Sequence, residues 1–459
     1  MKHDFDSTII RAYDIRGVFN QTLNTDDAKV IGHLIGINLR GNRIVNVGYD
    51  GRHSSVFLKN ALIEGLIESN AIVNEIELGP TPMLYYSCYV NNAEFGIMIT
   101  GSHNPATHNG FKIVRNNQPF FGNDLIKIAK TAKSYSLHKI NGKHKLLNIK
   151  ERYIEKLNTS IDQGKKLNVV WDSGNGAAGE IMKEISNNVV GRTKILFEKI
   201  DGDFPNHHPD PSDPENLNDV ISFMKEDVFD CGIAFDGDGD RIGVVSNKGE
   251  VISGDILLLI YAMDILKKNK NSIIIGDVKC SQLLFDEIER LGGKSFMHKT
   301  GHSYIKNFMK QTNADLAGEM SGHIFFADNY FGFDDGLYAA VRLVNLLSRN
   351  DQSLSNFLAK LPKIYNTPEI RIECDDNEKF KIIEKIILNQ KRNGKEFNDI
   401  DGIRVKNSNG WWLLRASNTQ PAIILRCEAN SHEKLNKIID DVRNEIKIVS
   451  ISLANQILT

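Results

Sequence analysis

Cys231-Gly232-Ile233-Ala234-Phe235-Asp236-Gly237-Asp238-Gly239-Asp240-Arg241 reads as a short apolar strand that empties into an acidic, glycine-spaced loop. The apolar run Ile242-Gly243-Val244-Val245 lies immediately behind it. Short apolar runs bounded by turn residues are the signature of buried strands. The same pattern recurs on either side. Phe95-Gly96-Ile97-Met98-Ile99 feeds Thr100-Gly101-Ser102-His103-Asn104-Pro105, and Ala314-Asp315-Leu316-Ala317 feeds Gly318-Glu319-Met320-Ser321-Gly322-His323. Each is preceded by another apolar run that ends in aspartate: Ile44 to Asp50, Leu167 to Asp172 and Ile273 to Asp277. Helix-like stretches separate the runs. The chain therefore reads as three related α/β units, each presenting one loop at the carboxyl end of a strand, where open α/β sheets bind ligands.

From about Pro362 the pattern changes. A charged helix-like stretch, Asn377 to Lys391, accompanies strand-like runs at Gly402 to Val405, Trp411 to Arg415 and Ala422 to Glu428. The expected fold class is α/β: three similar mixed α/β domains at residues 1–147, 148–250 and 251–362, then a C-terminal α+β domain at residues 363–459.

Composition narrows the function. With 56 basic against 58 acidic residues, the net charge of −2 gives no overall pull toward nucleic acid or an anionic membrane. The five cysteines are scattered, odd in number and form no C-x-x-C pair, which argues against a disulfide framework and a structural zinc site. The N-terminus carries no apolar signal core, and the run from Ile256 to Met263 is too short to span a bilayer. A cytoplasmic monomer with no nucleic-acid or membrane partner is expected.

The loops carry the chemistry. Carboxylates at positions i, i+2 and i+4, spaced by glycine, can converge on one hard cation. An EF-hand is excluded, because Arg241 stands where that loop needs Gly and Asn247 where it needs Glu. Three carboxylates leave room for a phosphate oxygen, which suits magnesium. Ser102 sits just after a strand, but not in a G-x-S-x-G elbow, so acyl transfer is disfavoured. Lys112 reads as a charge for an anion, as a proton shuttle or as a solvated surface lysine. Glu319, Ser321 and His323 alternate, which would put carboxylate, hydroxyl and imidazole on one face toward sugar hydroxyls. Arg415-Ala416-Ser417-Asn418-Thr419 offers a guanidinium fork and hydroxyls suited to a phosphate dianion. A competing signal is Gly174-Asn175-Gly176-Ala177-Ala178-Gly179, with Glu198 about 20 residues on, which matches a dinucleotide fingerprint. The same glycines also serve a tight strand-to-helix turn with no ligand.

Taken together, the loops resemble the α-D-phosphohexomutase superfamily, in particular its bacterial phosphomannomutase/phosphoglucomutase branch. The likeness runs along essentially the whole chain and includes Arg11-Ala12-Tyr13-Asp14-Ile15-Arg16-Gly17, Gly276-Asp277-Val278-Lys279-Cys280 and Lys299-Thr300-Gly301-His302-Ser303. The resemblance implies four domains around a central active-site cleft. It implies that Ser102 is phosphorylated and that Asp236, Asp238 and Asp240 bind Mg2+ together with a phosphoserine oxygen. His103, Lys112, Arg16 and Arg241 would serve catalysis. Tyr13, Lys279, His302, Glu319, Ser321, His323, Arg415, Ser417, Asn418 and Thr419 would hold substrate. The implied reaction moves a phosphoryl group between C6 and C1 of mannose and glucose phosphates through a hexose 1,6-bisphosphate, which also acts as activator. Glucosamine-phosphate mutases of this kind typically carry Gln at the place of Met320. The alternatives are such a phosphoglucosamine mutase and a non-catalytic sugar-phosphate-binding relative.

Overall fold

A computed structural model describes residues 2–135, 141–417 and 421–457. The first sheet is ordered Ile15–Val18, His108–Arg115, Phe95–Ile99, Ile44–Tyr49, Ile72–Leu78, Lys143–Leu147, with Gln118–Pro119 paired beside His108–Arg115. The second runs Val251–Ile252, Ile242–Ser246, Cys231–Phe235, Val169–Asp172, Thr193–Leu196. The third runs Lys294–His298, Ile273–Asp277, Leu316–Gly318, Ile324–Phe326.

These three sheets share one topology. A first strand lies parallel between two others, and the later of these two turns back into an antiparallel strand. The turn that reverses the chain is the serine loop in the first unit, the aspartate loop in the second and the glutamate loop in the third. Central strands such as Val169–Asp172 and Cys231–Phe235 are buried at every position, as a strand covered on both faces requires. The aspartate that ends each first run works locally. Asp50 accepts from the backbone N–H of Arg52 at 3.1 Å, Asp172 from Gly174 at 2.7 Å and Asp277 from Lys279 at 3.2 Å. Each thus fixes the turn after its strand.

The units are not separate globules. One apolar core joins Met83 and Met98 of the first, Trp171 and Ile233 of the second, and Leu258, Ile274 and Phe326 of the third. A further core belongs to the first unit alone.

The C-terminal unit is an antiparallel sheet, Tyr365–Asn366, Ala422–Ala429, Gly410–Ala416, Ile403–Lys406, with Ile370–Glu373 also on Ala422–Ala429. Helices Lys379–Arg392 and His432–Val449 supply its core. It docks on the third unit through main-chain oxygens. Arg404 Nη1 donates to the carbonyls of Val278 at 2.6 Å and Cys280 at 2.8 Å, and Arg426 Nη1 donates to that of Lys279 at 2.6 Å. Trp411 stacks under Arg404 at 3.7 Å and packs on Val278. Among the described residues, no helix is long and apolar enough to cross a membrane.

Candidate active site

Asp236, Asp238 and Asp240 are fully buried, and one oxygen from each lies within 4.8 Å of the others. Gly239, at φ +72°, supplies the left-handed turn that folds the loop back on itself. Ser102 of the first unit meets this loop: its Oγ donates to Asp236 Oδ2 at 3.0 Å, and His103 Nδ1 lies 3.2 Å from the same Oγ. The helix Thr81–Asn91 also points its first residue at the loop. Thr81 N–H donates to the Asp238 carbonyl at 2.8 Å, and its hydroxyl donates to Asp238 Oδ2.

Lys112 settles one choice left open by the sequence. It is buried, and its Nζ donates to Asp238 Oδ2 at 2.6 Å and Asp240 Oδ2 at 2.5 Å. Burial works against its charge, but the three aspartates outweigh that and raise its pKa. It is therefore not a solvated surface lysine. Burial pushes the Asp236 carboxyl well above the usual carboxylate range, and the neighbouring charges of Asp238 and Asp240 push it further. Burial acts the same way on Asp238, yet Lys112 and Thr81 overcome it and hold that carboxyl below its ordinary value.

The donor set fits a divalent cation. Asp238 Oδ1 and Asp240 Oδ1 are buried without a hydrogen-bond partner among the described residues. Such oxygens are costly unless compensated, and three clustered carboxylates repel one another. A hard cation bound by oxygens answers both problems, and the all-carboxylate set suits Mg2+.

A second buried cluster adjoins the first. Arg241 Nε donates to His323 Nε2 at 2.9 Å, so that nitrogen carries no proton. The ring proton then belongs on Nδ1, which faces Asp334 Oδ2 at 3.1 Å and Asp240 Oδ1 at 3.5 Å. Asp334 Oδ1 accepts from Lys306 Nζ at 2.8 Å, and His302 Nδ1 lies 3.6 Å from its other oxygen. Burial opposes the Asp334 charge, but Lys306 and the two histidines hold its carboxyl well below the usual range. Burial and the Lys306 charge push His302 well below the usual imidazole value. Burial and the cations Arg241, Arg16 and Lys112 do the same to His103.

Other predicted residues have partners of their own. Arg16 pairs with Asp14 at 2.5 Å. Tyr13 meets His302 edge to face at 5.4 Å. Lys279 pairs with Glu369 at 2.8 Å and Arg415 with Asp401 at 2.9 Å. Ser417 is buried, and its N–H donates to the Ala422 carbonyl at 2.9 Å. Asn418 and Thr419 fall outside the described residues. Ser321 is partly exposed in the turn after Glu319.

One sequence expectation needs correction. Glu319, Ser321 and His323 do not share a face, because the chain between them is a tight turn. Gly322 N–H donates to the Glu319 carbonyl at 3.0 Å, and Glu319 N–H to the His323 carbonyl at 2.9 Å. Glu319 consequently reaches the N–H of Gly301, while His323 reaches Arg241 and Asp334. The glycines of Gly174–Gly179 are required by close packing. A Cβ on Gly176 would lie 2.9 Å from the Gly237 carbonyl oxygen, and one on Gly179 would lie 2.0 Å from that of Glu198. The run seats the aspartate loop, and Ala177 N–H donates to Gly237 O at 2.9 Å.

Arg52, Thr81, Lys306 and Asp334 did not emerge from the sequence. Asp334 and Asp335 stand directly before the helix Gly336–Arg349, where a capping acid is expected, so one of the pair was left without a capping role. That surplus acid was the available signal.

Comparison with known proteins agrees with this arrangement. Family models described as phosphoglucomutase/phosphomannomutase match in order: alpha/beta/alpha domain I at residues 7–139, domain II at 151–249, domain III at 253–365 and the C-terminal domain at 369–445. A phosphomannomutase/phosphoglucomutase of Pseudomonas putida is 44% identical over 441 residues, covering 96% of this chain and 95% of that protein. A phosphoglucomutase of Neisseria gonorrhoeae is 39% identical over 437 residues, covering 94% and 95%. The crystal structure of a phosphoglucomutase/phosphomannomutase family protein from Burkholderia thailandensis superposes with a TM-score of 0.91 at 38% identity, covering 98% of this chain and 99% of that one. Ordered matches along nearly the whole chain place it in the phosphoglucomutase/phosphomannomutase family.

Proposed function

We propose that this protein is a phosphomannomutase/phosphoglucomutase that interconverts the 6- and 1-phosphates of mannose and glucose by way of a phosphorylated Ser102. The observation that carries this reading is the meeting of Ser102 Oγ with the buried aspartate loop, 3.0 Å from Asp236, in a chain of this family. Phosphoryl transfer asks a protein mainly for positioning and for charge against the transferring group. Arg16, Lys112 and Arg241 supply the charge. Asp236, Asp238 and Asp240 would hold Mg2+, which when bound neutralises charge on the phosphoryl oxygens.

In the first step the P–Oγ bond of phosphoserine 102 breaks and a P–O bond forms to the free hydroxyl of the sugar phosphate. The hydroxyl gives up its proton as it attacks, while His323, held between Arg241 and Asp334, stands beside the aspartate loop. Ser102 Oγ keeps the bonding pair and takes the proton that the sugar hydroxyl gave up. The resulting hexose 1,6-bisphosphate turns over in the cleft, and its other phosphoryl group returns to Ser102 by the reverse of these steps, so the protein ends as it began. Arg415 and Ser417 grip the phosphate that is not reacting, and Glu319 and Ser321 hold sugar hydroxyls. Binding energy spent there orients the reacting end. The five cysteines are free, which fits a reducing cytoplasm.

The test is a coupled assay with mannose 1-phosphate, glucose 1-phosphate and glucosamine 1-phosphate, with Mg2+ and a trace of hexose 1,6-bisphosphate. Comparable kcat/KM for the first two, little for the third, and almost none for Ser102→Ala is the expected result. Preference for the glucosamine substrate, or wild-type turnover by Ser102→Ala, would overturn the reading.

A further inference from the structure

Arg52 touches none of the aspartates of the metal loop, and its side chain is fully buried. All five of its N–H groups are matched around the serine loop. Nη2 donates to the carbonyls of Ser102 and Asn104, both at 2.7 Å. Nη1 donates to those of Pro105 at 2.6 Å and His108 at 3.1 Å. Nε donates to Asp50 Oδ2 at 3.2 Å, and the same oxygen accepts from Gly101 N–H at 3.3 Å.

The loop held in this way carries a strained residue. Ser102 has φ +50°, the left-handed region that a side chain with a Cβ avoids unless its surroundings impose it. Thr100 Oγ1 accepts its N–H at 2.8 Å, and Arg52 holds its carbonyl from the other side. Gly101 has no Cβ because one would lie 2.5 Å from the guanidinium carbon of Arg52.

The second unit closes over the same arginine. The Phe204 ring centre lies 5.1 Å from its guanidinium carbon, and a Cβ on Gly202 would lie 3.0 Å from its Cα. The aspartate loop also packs on the Ser102 carbonyl, where a Cβ on Gly237 would come within 2.4 Å of the oxygen. Arg52 is thus wedged between the unit that carries the serine and the unit that carries the aspartates.

We propose that Arg52 is a positioning residue that holds Ser102 in its left-handed conformation and so registers the phosphoryl-carrying loop of the first unit against the aspartate loop of the second. The inference rests on the reading of Ser102 as the phosphoryl carrier. A lysine has three donors around a point charge and cannot span four carbonyls as the planar fork does. A displacement of about 1 Å at the reacting atom costs on the order of 100-fold in rate while leaving remote binding contacts intact.

The experiment follows Ser102 phosphorylation by glucose 1,6-bisphosphate, read by intact mass, in wild type and Arg52→Lys, alongside steady-state kinetics. The expected result is a fall of 10- to 100-fold in both phosphorylation rate and kcat, with KM for glucose 1-phosphate within twofold of wild type. Asp50→Asn, which removes the charge that orients Nε, should show a weaker version of the same split and serves if Arg52→Lys does not fold. Phosphorylation at the wild-type rate in a folded variant, or a loss confined to KM, would overturn the positioning role. A wild-type protein that takes up no phosphoryl group would instead sink the carrier reading, whatever Arg52 does.

Discussion

Lys112 answers part of the negative charge that the aspartate loop concentrates. Removing one partner of a buried ion pair strands the other, at a cost of about 3–5 kcal/mol. Lys112→Met should therefore melt well below wild type in EDTA and recover part of the loss when Mg2+ is added. Equal melting temperatures in EDTA would show that the lysine carries no such load. Asp334→Asn should act on chemistry. An amide can donate to His323 Nδ1 and so push the ring proton to Nε2, against the Arg241 N–H that this nitrogen accepts. A loss of kcat on the order of 100-fold at unchanged KM is expected from steady-state rates. A pure rise in KM would mean that Asp334 shapes binding instead. Ser102 and the three aspartates were legible because each motif is contiguous. Lys306 and Asp334 stand 28 residues apart and become a pair only on folding, and Lys112 resembled any surface lysine until its burial was known.

At the scale of elements, the strand–loop–strand hairpin is the working part. Its loops were readable at the carboxyl ends of strands, because apolar runs ending in Gly, Ser or Asp mark strand termini. Side-chain direction within a loop was not readable. Alternation predicts a shared face only where the chain is extended, and the turn through Met320 and Ser321 broke it. The glycine run at residues 174–179 was legible as a tight turn, but its purpose depended on a partner 60 residues away. Gly179→Ala tests the tightest contact of the run, with the Glu198 carbonyl. Its Cβ would meet a backbone oxygen that cannot swing aside, so a loss of about 1–3 kcal/mol is expected from the urea midpoint. A neutral substitution would mean that the helix Gly179–Ser186 slides freely on its neighbour.

For the molecule as a whole, the continuous core joins three domains of one topology. The sequence showed the repeat but not the shared core, since which apolar faces meet depends on how the sheets stack. Stability should follow the buried histidines of the cleft. The folded His302 pKa lies well below the ordinary 6.5, so its contribution is fully present above about pH 6.5 and is lost as the pH falls below it. His302→Asn should flatten the decline in Tm between pH 7 and pH 5. An unchanged slope would place that proton uptake elsewhere.

The C-terminal unit grips its neighbour by arginines on main-chain oxygens at residues 278 to 280. Carbonyl oxygens are common to every polypeptide, so these three bonds do not depend on which side chains stand at 278 to 280. A terminal module grafted from a distant cousin should seat as well as the native one if it keeps the counterparts of Arg404 and Arg426, of Trp411, and of Glu369 and Glu428, which pair with Lys279 and Ser281. Lineages could thus trade the piece that faces the outer phosphate without rebuilding the three units behind it.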